Sequence, residues 1–152
     1  MSLRDVLTKD LIRLQIPVEN WQEAVQAAGN LMEQAGLCTS SYVDAMVQAV
    51  EQLGPYMVLA PGIALAHARP EDGMLKAGMS IVTLSTPVNF GSAANDPVGL
   101  VIGFGGVDKT AHVEMLRDLA IFLSNEDNQQ MLKLATDVEA VLAAFELAME
   151  KQ

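Results

Sequence analysis

The amino-acid sequence predicts an α/β fold in which a mixed β-sheet is flanked by helices on both faces. Helical periodicity fills the first third of the chain, several short strands follow, and helical periodicity returns in the last third, an order typical of that architecture. The continuously apolar stretch at residues 99–104 is typical of a strand buried on both sides. With 152 residues, of which 51% are hydrophobic, we expect one domain spanning residues 1–152 with a substantial core.

A strand and two helices are predicted before the central strands. Residues 10–16 show the alternation of a first strand. Residues 20–34 have helical spacing of apolar side chains, with Asn20 as the cap and Gly36 as the stop. A second helix is predicted to begin at the hydroxyl-bearing residues 39–41, which can cap it. Its predicted apolar face consists of Tyr42, Met46, Val50 and Leu53.

The rest of the chain supplies the central strands and the closing helices. Strand character is present at residues 56–59, 63–66, 79–84 and 98–104. Turn-forming residues at 89–91 and 95–97 separate the last two of these strands. Three helices are predicted in the last third, at residues 110–123, 127–134 and 137–149. This succession is what predicts a sheet between two helical layers.

Composition excludes several classes of protein. Nine basic against nineteen acidic side chains give a net charge of −10, and no basic stripe exists to bind nucleic acid. The longest apolar runs are shorter than a bilayer span, so we expect no insertion into a membrane. Residues 1–7 lack a signal core, and the single cysteine, Cys38, permits no internal disulfide. We therefore expect a cytoplasmic protein.

The segment around His67 is the most informative part of the sequence. In an extended backbone His67 lies on the same face as Ile63 and Leu65, so it continues a row of core side chains to the edge of the sheet. Arg69 follows on the same side. Such a histidine can be a catalytic nucleophile, or it can be a structural residue hydrogen-bonded within the fold. The residues alone leave both interpretations open.

The second histidine, His112, is predicted in the first turn of the helix at residues 110–123, which Asp108 or Thr110 can cap. It lies four residues before Leu116, on the predicted apolar face. That face consists of Leu116, Leu119, Ala120 and Leu123. The start of a helix favours anions and disfavours a protonated imidazole, so a neutral His112 can donate an N–H to a phosphoryl oxygen. An equally open alternative is that His112 only caps its own helix.

Two histidines at the ends of different elements favour phosphoryl transfer as the chemistry. A neutral imidazole is a competent nucleophile near neutral pH, and transfer between side chains needs fixed donors around the phosphoryl oxygens but no metal. We predict His67 as the nucleophile and His112 and Arg69 as stabilisers of the phosphoryl group, with no cofactor and no bound metal. Arg69 can instead form a surface ion pair with Glu71 and Asp72, an interaction that contributes little to stability.

Three stretches of the chain together resemble one protein family. They are APGIALAHARPEDG at residues 60–73, TPVNFG at residues 86–91 and DKTAHVEML at residues 108–116. In this order they resemble the IIA components of the bacterial sugar phosphotransferase system, of the mannitol/fructose type. The tail ARPEDG is similar to the ascorbate-specific IIA subgroup. The resemblance covers nearly the whole chain and strengthens the assignment of His67 as the nucleophile.

The resemblance implies a fold, a route for the phosphoryl group and a set of partners. The family fold is a mixed sheet of about five strands flanked by helices. The resemblance further implies that the histidine-containing phosphocarrier protein phosphorylates His67. The group then passes to a cysteine of a IIB component, which phosphorylates the sugar during uptake through the membrane IIC component. His112 matches the family's second histidine, which lies beside the phosphorylated one.

The chain departs from the family pattern at two places. Ala66 stands where many relatives have a proline immediately before the active histidine. Residues 42–60 contain no counterpart of the upstream arginine that mannitol-type members use, which leaves Arg69 as the nearby cation. The first departure can loosen the strand but leaves the nucleophile intact, whereas the second bears on the role of Arg69.

Two other functions remain open at the level of sequence. A regulatory module with the same fold can use phosphorylation of His67 as a signal to a transcription factor, a kinase or a transporter. A purely structural domain would keep His67 hydrogen-bonded in the interior. Apolar helix faces also leave a homodimer open, and no residue pattern identifies the sugar.

Overall fold

The structure is a computed structural model that describes residues 6–150 of the chain. Residues 1–5 and 151–152 lie outside the described residues, and so does most of the segment on which the expectation about export rests. The strands are β1 (Ile12–Ile16), β2 (Val58–Ala60), β3 (Ile63–Ala66), β4 (Gly78–Val88) and β5 (Val98–Gly105). The helices are α1 (Trp21–Gln34), α2 (Ser40–Leu53), α3 (Lys109–Leu123), α4 (Glu126–Leu134) and α5 (Val138–Glu150).

The five strands form one mixed sheet in the order β1-β4-β5-β3-β2. Strand β1 is parallel to β4 and β3 is parallel to β5, whereas the pairs β4–β5 and β2–β3 are antiparallel. The β3–β5 ladder runs from the pair Ile63 and Leu100 to the pair Ala66 and Gly103. The predicted α/β class with a mixed sheet of about five strands is confirmed.

Helices cover both faces of the sheet. Gly103 on β5 faces α1, because a Cβ placed there would lie 2.9 Å from Sδ of Met32 and 3.3 Å from Cβ of Ala28. The next residue, Phe104, faces α3, since its ring centroid lies 4.9 Å from that of His112. Neighbouring residues of a strand point to opposite faces, so α1 and α3 lie on opposite sides of the sheet. Within residues 6–150, no helix is long and apolar enough to cross a membrane.

Polar side chains mark where the helices begin. The side chain of Asn20 accepts a hydrogen bond from the amide of Glu23 at 2.9 Å, which confirms Asn20 as the cap of α1. Asp108 accepts from the amide of Ala111 at 2.8 Å and so caps α3. Thr39 occupies the predicted cap position of α2 but makes no side-chain cap hydrogen bond there.

Two predicted apolar faces differ from the structure. Leu53, predicted on the buried face of α2, is 72% exposed. In α3 the predicted face is wrong by about one position, because Ala120 is exposed while Phe122 is fully buried. The buried residues of α3 are Ala111, Met115, Asp118, Leu119 and Phe122. The ring of Phe122 stacks on Phe145 with centroids 3.8 Å apart, and burying this aromatic pair stabilises the observed orientation more than burying an alanine would.

We expect two alanine substitutions on β5 to change stability in opposite directions. In Gly103→Ala the added Cβ meets Oγ of Ser80 and Sδ of Met32, so the free energy of unfolding should fall by about 1–3 kcal/mol. In Gly99→Ala the Cβ would lie 3.5 Å from Cγ of Pro87, an ordinary contact. The reduced entropy of the unfolded chain should then raise the free energy of unfolding by about 0.4–1 kcal/mol. Urea unfolding measures both, and equal losses would contradict the close packing of Gly103 against α1.

Candidate functional site

His67 is the first residue beyond the paired part of β3. Leu65 and Ala66 are buried, and His67 is half-buried where the chain leaves the sheet. The last pair of the ladder joins Ala66 to Gly103 on β5, so the strand is held up to the residue immediately before the histidine. A rigid strand therefore delivers the imidazole of His67 to the end of the sheet.

Two contacts orient the ring of His67. Its Nδ1 lies 2.9 Å from the carbonyl oxygen of Leu65, two residues earlier. A carbonyl oxygen only accepts, so the neutral ring in this contact carries its proton on Nδ1 and has its lone pair on Nε2. The ring of Tyr56 meets that of His67 edge-on, with centroids 5.5 Å apart and an interplanar angle of 81°. The nitrogen of the oriented neutral ring that keeps a free lone pair is thus Nε2.

Tyr56 also contacts the backbone of His67. Its hydroxyl donates to the carbonyl oxygen of His67 at 3.5 Å, at the long end of hydrogen-bond distances. Burial raises the pKa of the Tyr56 hydroxyl, so the group is protonated and able to donate near neutral pH. The sequence pattern predicts Tyr56 only as the start of a strand, whereas β2 begins at Val58. Nothing in that pattern points to the contact with His67.

A groove of about 470 Å³ opens beside His67. One side is a face of α2 that carries small and amide side chains, namely Ala45, Gln48, Ala49 and Gln52. The other lining residues are Leu53, Tyr56, His67, Ala68, Arg69 and Asp72. Since Leu53 and Tyr56 are both exposed, apolar surface is open to solvent next to the imidazole.

Arg69 lies in the same groove but is engaged with its own turn. Its amide donates to Oδ2 of Asp72 at 3.1 Å, at the start of the short 3₁₀ turn Pro70–Asp72. Its Nε lies 3.6 Å from Oδ2 of Asp72 and 3.7 Å from Oε1 of Glu71. The Arg69 side chain is 76% exposed, so these ion pairs contribute little to stability. The alternative of a surface ion pair is confirmed as a contact, and stabilisation of a phosphoryl group by Arg69 stays a prediction.

His112 is half-buried in the first turn of α3, as predicted. Its amide donates to the carbonyl oxygen of Asp108 at 3.2 Å. Its ring meets Phe104 edge-on, at an interplanar angle of 76°. Gly106 lies close by, since a Cβ there would be 3.1 Å from Cβ of His112. The side chain of Asp108 caps α3, and within residues 6–150 the ring of His112 makes no hydrogen bond that would cap this helix.

The parallel pairing of β3 with β5 brings the two histidine segments to one end of the sheet. Parallel neighbours end on the same side and lie about 4.8 Å apart. His67 follows β3 directly, and Phe104, near the end of β5, carries the ring contact to His112. Of the predicted site residues, His67 and Arg69 line one groove, whereas His112 lies against Phe104 and is not part of that lining.

Tyr42 joins these two segments through its hydroxyl. The oxygen accepts from the amide of Ala68 at 3.0 Å, and the hydroxyl donates to the carbonyl oxygen of Phe104 at 2.8 Å. The sequence pattern predicts Tyr42 only as a buried residue of α2, and it is fully buried. A hydroxyl on an otherwise apolar face is the one signal in the sequence that points to a further role.

Cys38 is a core residue rather than part of the site. Burial and, to a smaller extent, the Glu33 carboxylate raise the pKa of its thiol to about 11, so the thiol is protonated near neutral pH. In the part of the chain that the structure describes, no three histidine, cysteine or acidic side chains lie close enough together to hold a metal ion.

The chain is similar to known proteins along nearly its whole length. Residues 5–147 match the model of the family described as "Phosphoenolpyruvate-dependent sugar phosphotransferase system, EIIA 2". The chain is 40% identical over 144 residues to the ascorbate-specific PTS system EIIA component of Escherichia coli (strain K12), covering 93% of this chain and 94% of that protein. Both kinds of match extend over the histidine segments described above.

Solved structures of similar fold include IIA proteins of the mannitol type. One is the mannitol-specific cryptic phosphotransferase enzyme IIA CmtB of Escherichia coli, with a TM-score of 0.85 and 28% identity, covering 97% of this chain and 99% of that one. Another is enzyme IIAMTL of Escherichia coli in its complex with phosphorylated enzyme IIBMTL, with a TM-score of 0.80 and 28% identity, covering 92% of this chain and 96% of that one.

We expect nitrogen-15 NMR to find the neutral ring of His67 protonated on Nδ1. The chain has only two histidines, so selective labelling gives two imidazoles, and the spectrum of His67→Ala assigns them. Because the carbonyl of Leu65 accepts from Nδ1, the Nε2 resonance of the neutral ring should lie in the range of an unprotonated nitrogen. His112 serves as the internal reference. A neutral His67 ring protonated on Nε2 would contradict the hydrogen bond to Leu65.

Proposed function

This chain belongs to the EIIA 2 family of the phosphoenolpyruvate-dependent sugar phosphotransferase system, and on that premise we propose that it carries a phosphoryl group on His67. It accepts the group from the histidine-containing phosphocarrier protein and passes it to a cysteine of a IIB component. That component serves an uptake system whose membrane part is a IIC component. The chain acts as a phosphotransferase through a phosphohistidine, without a cofactor, and a cytoplasmic location goes with this role.

The observation that carries the proposal is the orientation of the His67 ring. Its Nδ1 is committed to the carbonyl of Leu65, its lone pair is on Nε2, and the residue lines an open groove. A half-buried imidazole in this state is a competent nucleophile near neutral pH. Membership of the family supports the same residue, because His67 lies within the stretch that resembles the family's phosphorylation motif.

Transfer onto His67 is a displacement at phosphorus. The lone pair of Nε2 forms a bond to phosphorus while the bond between phosphorus and the donor's ring nitrogen breaks, and the electron pair of that bond stays on the donor ring. The Nδ1 proton remains hydrogen-bonded to the carbonyl of Leu65, which stabilises the positive charge that develops on the ring. In the second transfer a thiolate of the IIB component attacks phosphorus, and Nε2 regains its lone pair.

His112 is the proposed main stabiliser of the phosphoryl oxygens. Its place in the first turn of α3 favours a nearby anion, and the contact with Phe104 limits the motion of the ring. Arg69 is the proposed second stabiliser. We expect its contribution to be smaller, because its guanidinium already lies beside Asp72 and Glu71.

Exposed apolar side chains beside the site support transfer between proteins. Leu53 and Tyr56 border the groove, Leu59 is 58% exposed on the neighbouring strand β2, and Val113 is exposed next to His112. Apolar side chains around a reactive group are typical of a surface that a protein partner covers. A IIB partner is further supported by the similar enzyme IIAMTL, whose structure is a complex with phosphorylated enzyme IIBMTL.

The substrate of the transport system is proposed to be ascorbate or a similar sugar acid. The support for this is the 40% identity to the ascorbate-specific EIIA component of Escherichia coli over 93% of the chain. The IIA chain passes its group to a protein, so the groove beside His67 need not hold the sugar. Specificity for the sugar then depends on which IIB component this chain recognises.

We expect phosphoenolpyruvate, enzyme I and the phosphocarrier protein to add one acid-labile phosphoryl group to the wild-type chain and none to His67→Ala. The substitution removes the nucleophilic nitrogen. His112→Ala should still accept the group, but about 10²-fold more slowly, because one donor to the phosphoryl oxygens is lost. Intact-mass spectrometry and rapid-quench kinetics measure both effects, with thermal unfolding as the control for folding. Labelling of His67→Ala at the wild-type rate would overturn the assignment.

A second step of the same experiment separates transport from regulation. The phosphorylated chain is mixed with a purified IIB component of an ascorbate system and, as the matched control, with one of a mannitol system. A transport role predicts that the label moves rapidly to a cysteine of the ascorbate-type component only. A chain that is phosphorylated on His67 but transfers to neither component would favour the regulatory alternative.

A further inference from the structure

Tyr42 has an unusual set of contacts for a core aromatic residue. It lies in the first turn of α2 and is fully buried. Its hydroxyl oxygen lies 3.0 Å from the amide nitrogen of Ala68, 2.8 Å from the carbonyl oxygen of Phe104 and 3.2 Å from the carbonyl oxygen of Ala68. All three partners are main-chain atoms, in segments far from α2 along the chain.

A single hydroxyl can satisfy two of these partners well. It accepts from the amide of Ala68 and donates its one proton to the closer carbonyl, that of Phe104. Burial is the main reason that the pKa of the Tyr42 hydroxyl is raised to about 12, so the proton needed for this donation is present throughout the physiological pH range. The link between Ala68 and Phe104 therefore does not depend on pH within that range.

The position of this link in the sheet is informative. The ladder between β3 and β5 ends at the pair Ala66 and Gly103, and Phe104 and Ala68 are the residues one and two positions further on. The hydroxyl of Tyr42 thus bridges the segments that follow β3 and end β5, just beyond the last residue pair of their ladder. Ala68 is the residue after His67, and Phe104 holds the ring of His112. One oxygen atom therefore connects the backbone next to His67 with the backbone of the residue whose ring contacts His112.

We propose that Tyr42 is a positioning residue for phosphoryl transfer, whose hydroxyl fixes the segment that carries His67 relative to the segment that holds His112. This inference rests on the proposed function and deepens it. Transfer requires Nε2 of His67 in line with the leaving group and the oxygen donors at fixed distances, and a displacement of about 1 Å can slow such a step about 10²-fold. The backbone after His67 is not paired with β5. The hydroxyl of Tyr42 supplies a hydrogen bond that holds this backbone in place of the ladder.

Tyr42→Phe is the variant that removes the link and keeps the ring. The aromatic packing of α2 is preserved, but the amide of Ala68 and the carbonyl of Phe104 lose their partner in a buried place. A matched control is Thr83→Val. The Thr83 hydroxyl is equally buried and accepts from the amide of Gln15 at 2.8 Å, but it lies on β4, opposite Leu100 and toward the β1 edge of the sheet. Both variants remove one buried hydroxyl that bonds to the main chain.

The experiment compares wild type, Tyr42→Phe and Thr83→Val in single-turnover phosphorylation by the phosphorylated phosphocarrier protein over a range of its concentrations. We expect Tyr42→Phe to lower the maximal rate at least about tenfold, with little change in the half-saturating concentration. Thr83→Val should stay within about twofold of wild type in both quantities. This split is expected because the hydroxyl acts on the geometry of the step rather than on the docking of the donor.

Nitrogen-15 NMR of the two histidines gives a second measurement. A loss of stability alone does not change the imidazole resonances of the folded protein. In Tyr42→Phe we expect the His67 resonances to shift or broaden, because the backbone beside the ring gains freedom, while Thr83→Val leaves them in place. All proteins are assayed where urea unfolding shows them to be folded, with trimethylamine N-oxide added to every sample if Tyr42→Phe requires it. Equal maximal rates and equal His67 spectra for the two folded variants would overturn the inference.

The outcome is separable from the test of the function itself. If wild type accepts no phosphoryl group, or accepts it on a residue other than His67, the proposed function fails. If wild type is phosphorylated on His67 and Tyr42→Phe behaves as Thr83→Val does, the function stands and Tyr42 is only a structural residue.

Discussion

The parallel ladder between β3 and β5 is the interaction on which the site depends. All four residues of β3 and the four residues of β5 that pair with them are buried. A slip of one residue would turn every side chain of β3 to the opposite face and expose the apolar row to the wrong layer of helices. Burial therefore fixes the register of β3 against β5. This register places His67, the residue after β3, near the end of β5.

The shortness of β2 explains why the imidazole of His67 finds a backbone acceptor. The amide of Leu65 donates to the carbonyl oxygen of Met57 at 2.8 Å, on the β2 side of the strand. The N–H and C=O of one strand residue point to the same side, so the carbonyl of Leu65 also points toward β2. Regular pairing of β2 with β3 does not reach Leu65. The ring of His67 thus donates to the carbonyl oxygen of Leu65, which a longer β2 would have hydrogen-bonded. The edge of the sheet therefore forms part of the site.

The parts of the site that follow from the sequence are those that local patterns determine. The apolar run at residues 63–66 has the same bounds as β3. The end of this run therefore predicts that the chain leaves the sheet at His67. The contacts of Tyr42 join residues 26 and 62 positions apart, and no periodicity carries information over such distances. The same holds for the α3 face, which depends on the stacking of Phe122 against a residue of another helix. Local sequence therefore predicts where the candidate nucleophile emerges, while long-range packing decides which residues surround it.

Positive charge is scarce around His67. Among the described residues that line the groove, Arg69 is the one cation, and its Nε already lies within 3.7 Å of two carboxylates. The chain carries a net charge of −10, and residues 42–60 contain no arginine. Strong stabilisation of the phosphorylated protein would lower the free energy of the starting state for the next transfer. It would not lower the free energy of the transition state equally, so the transfer would be slower. Under the proposed function, a phosphoryl group with little charge compensation keeps its potential for onward transfer.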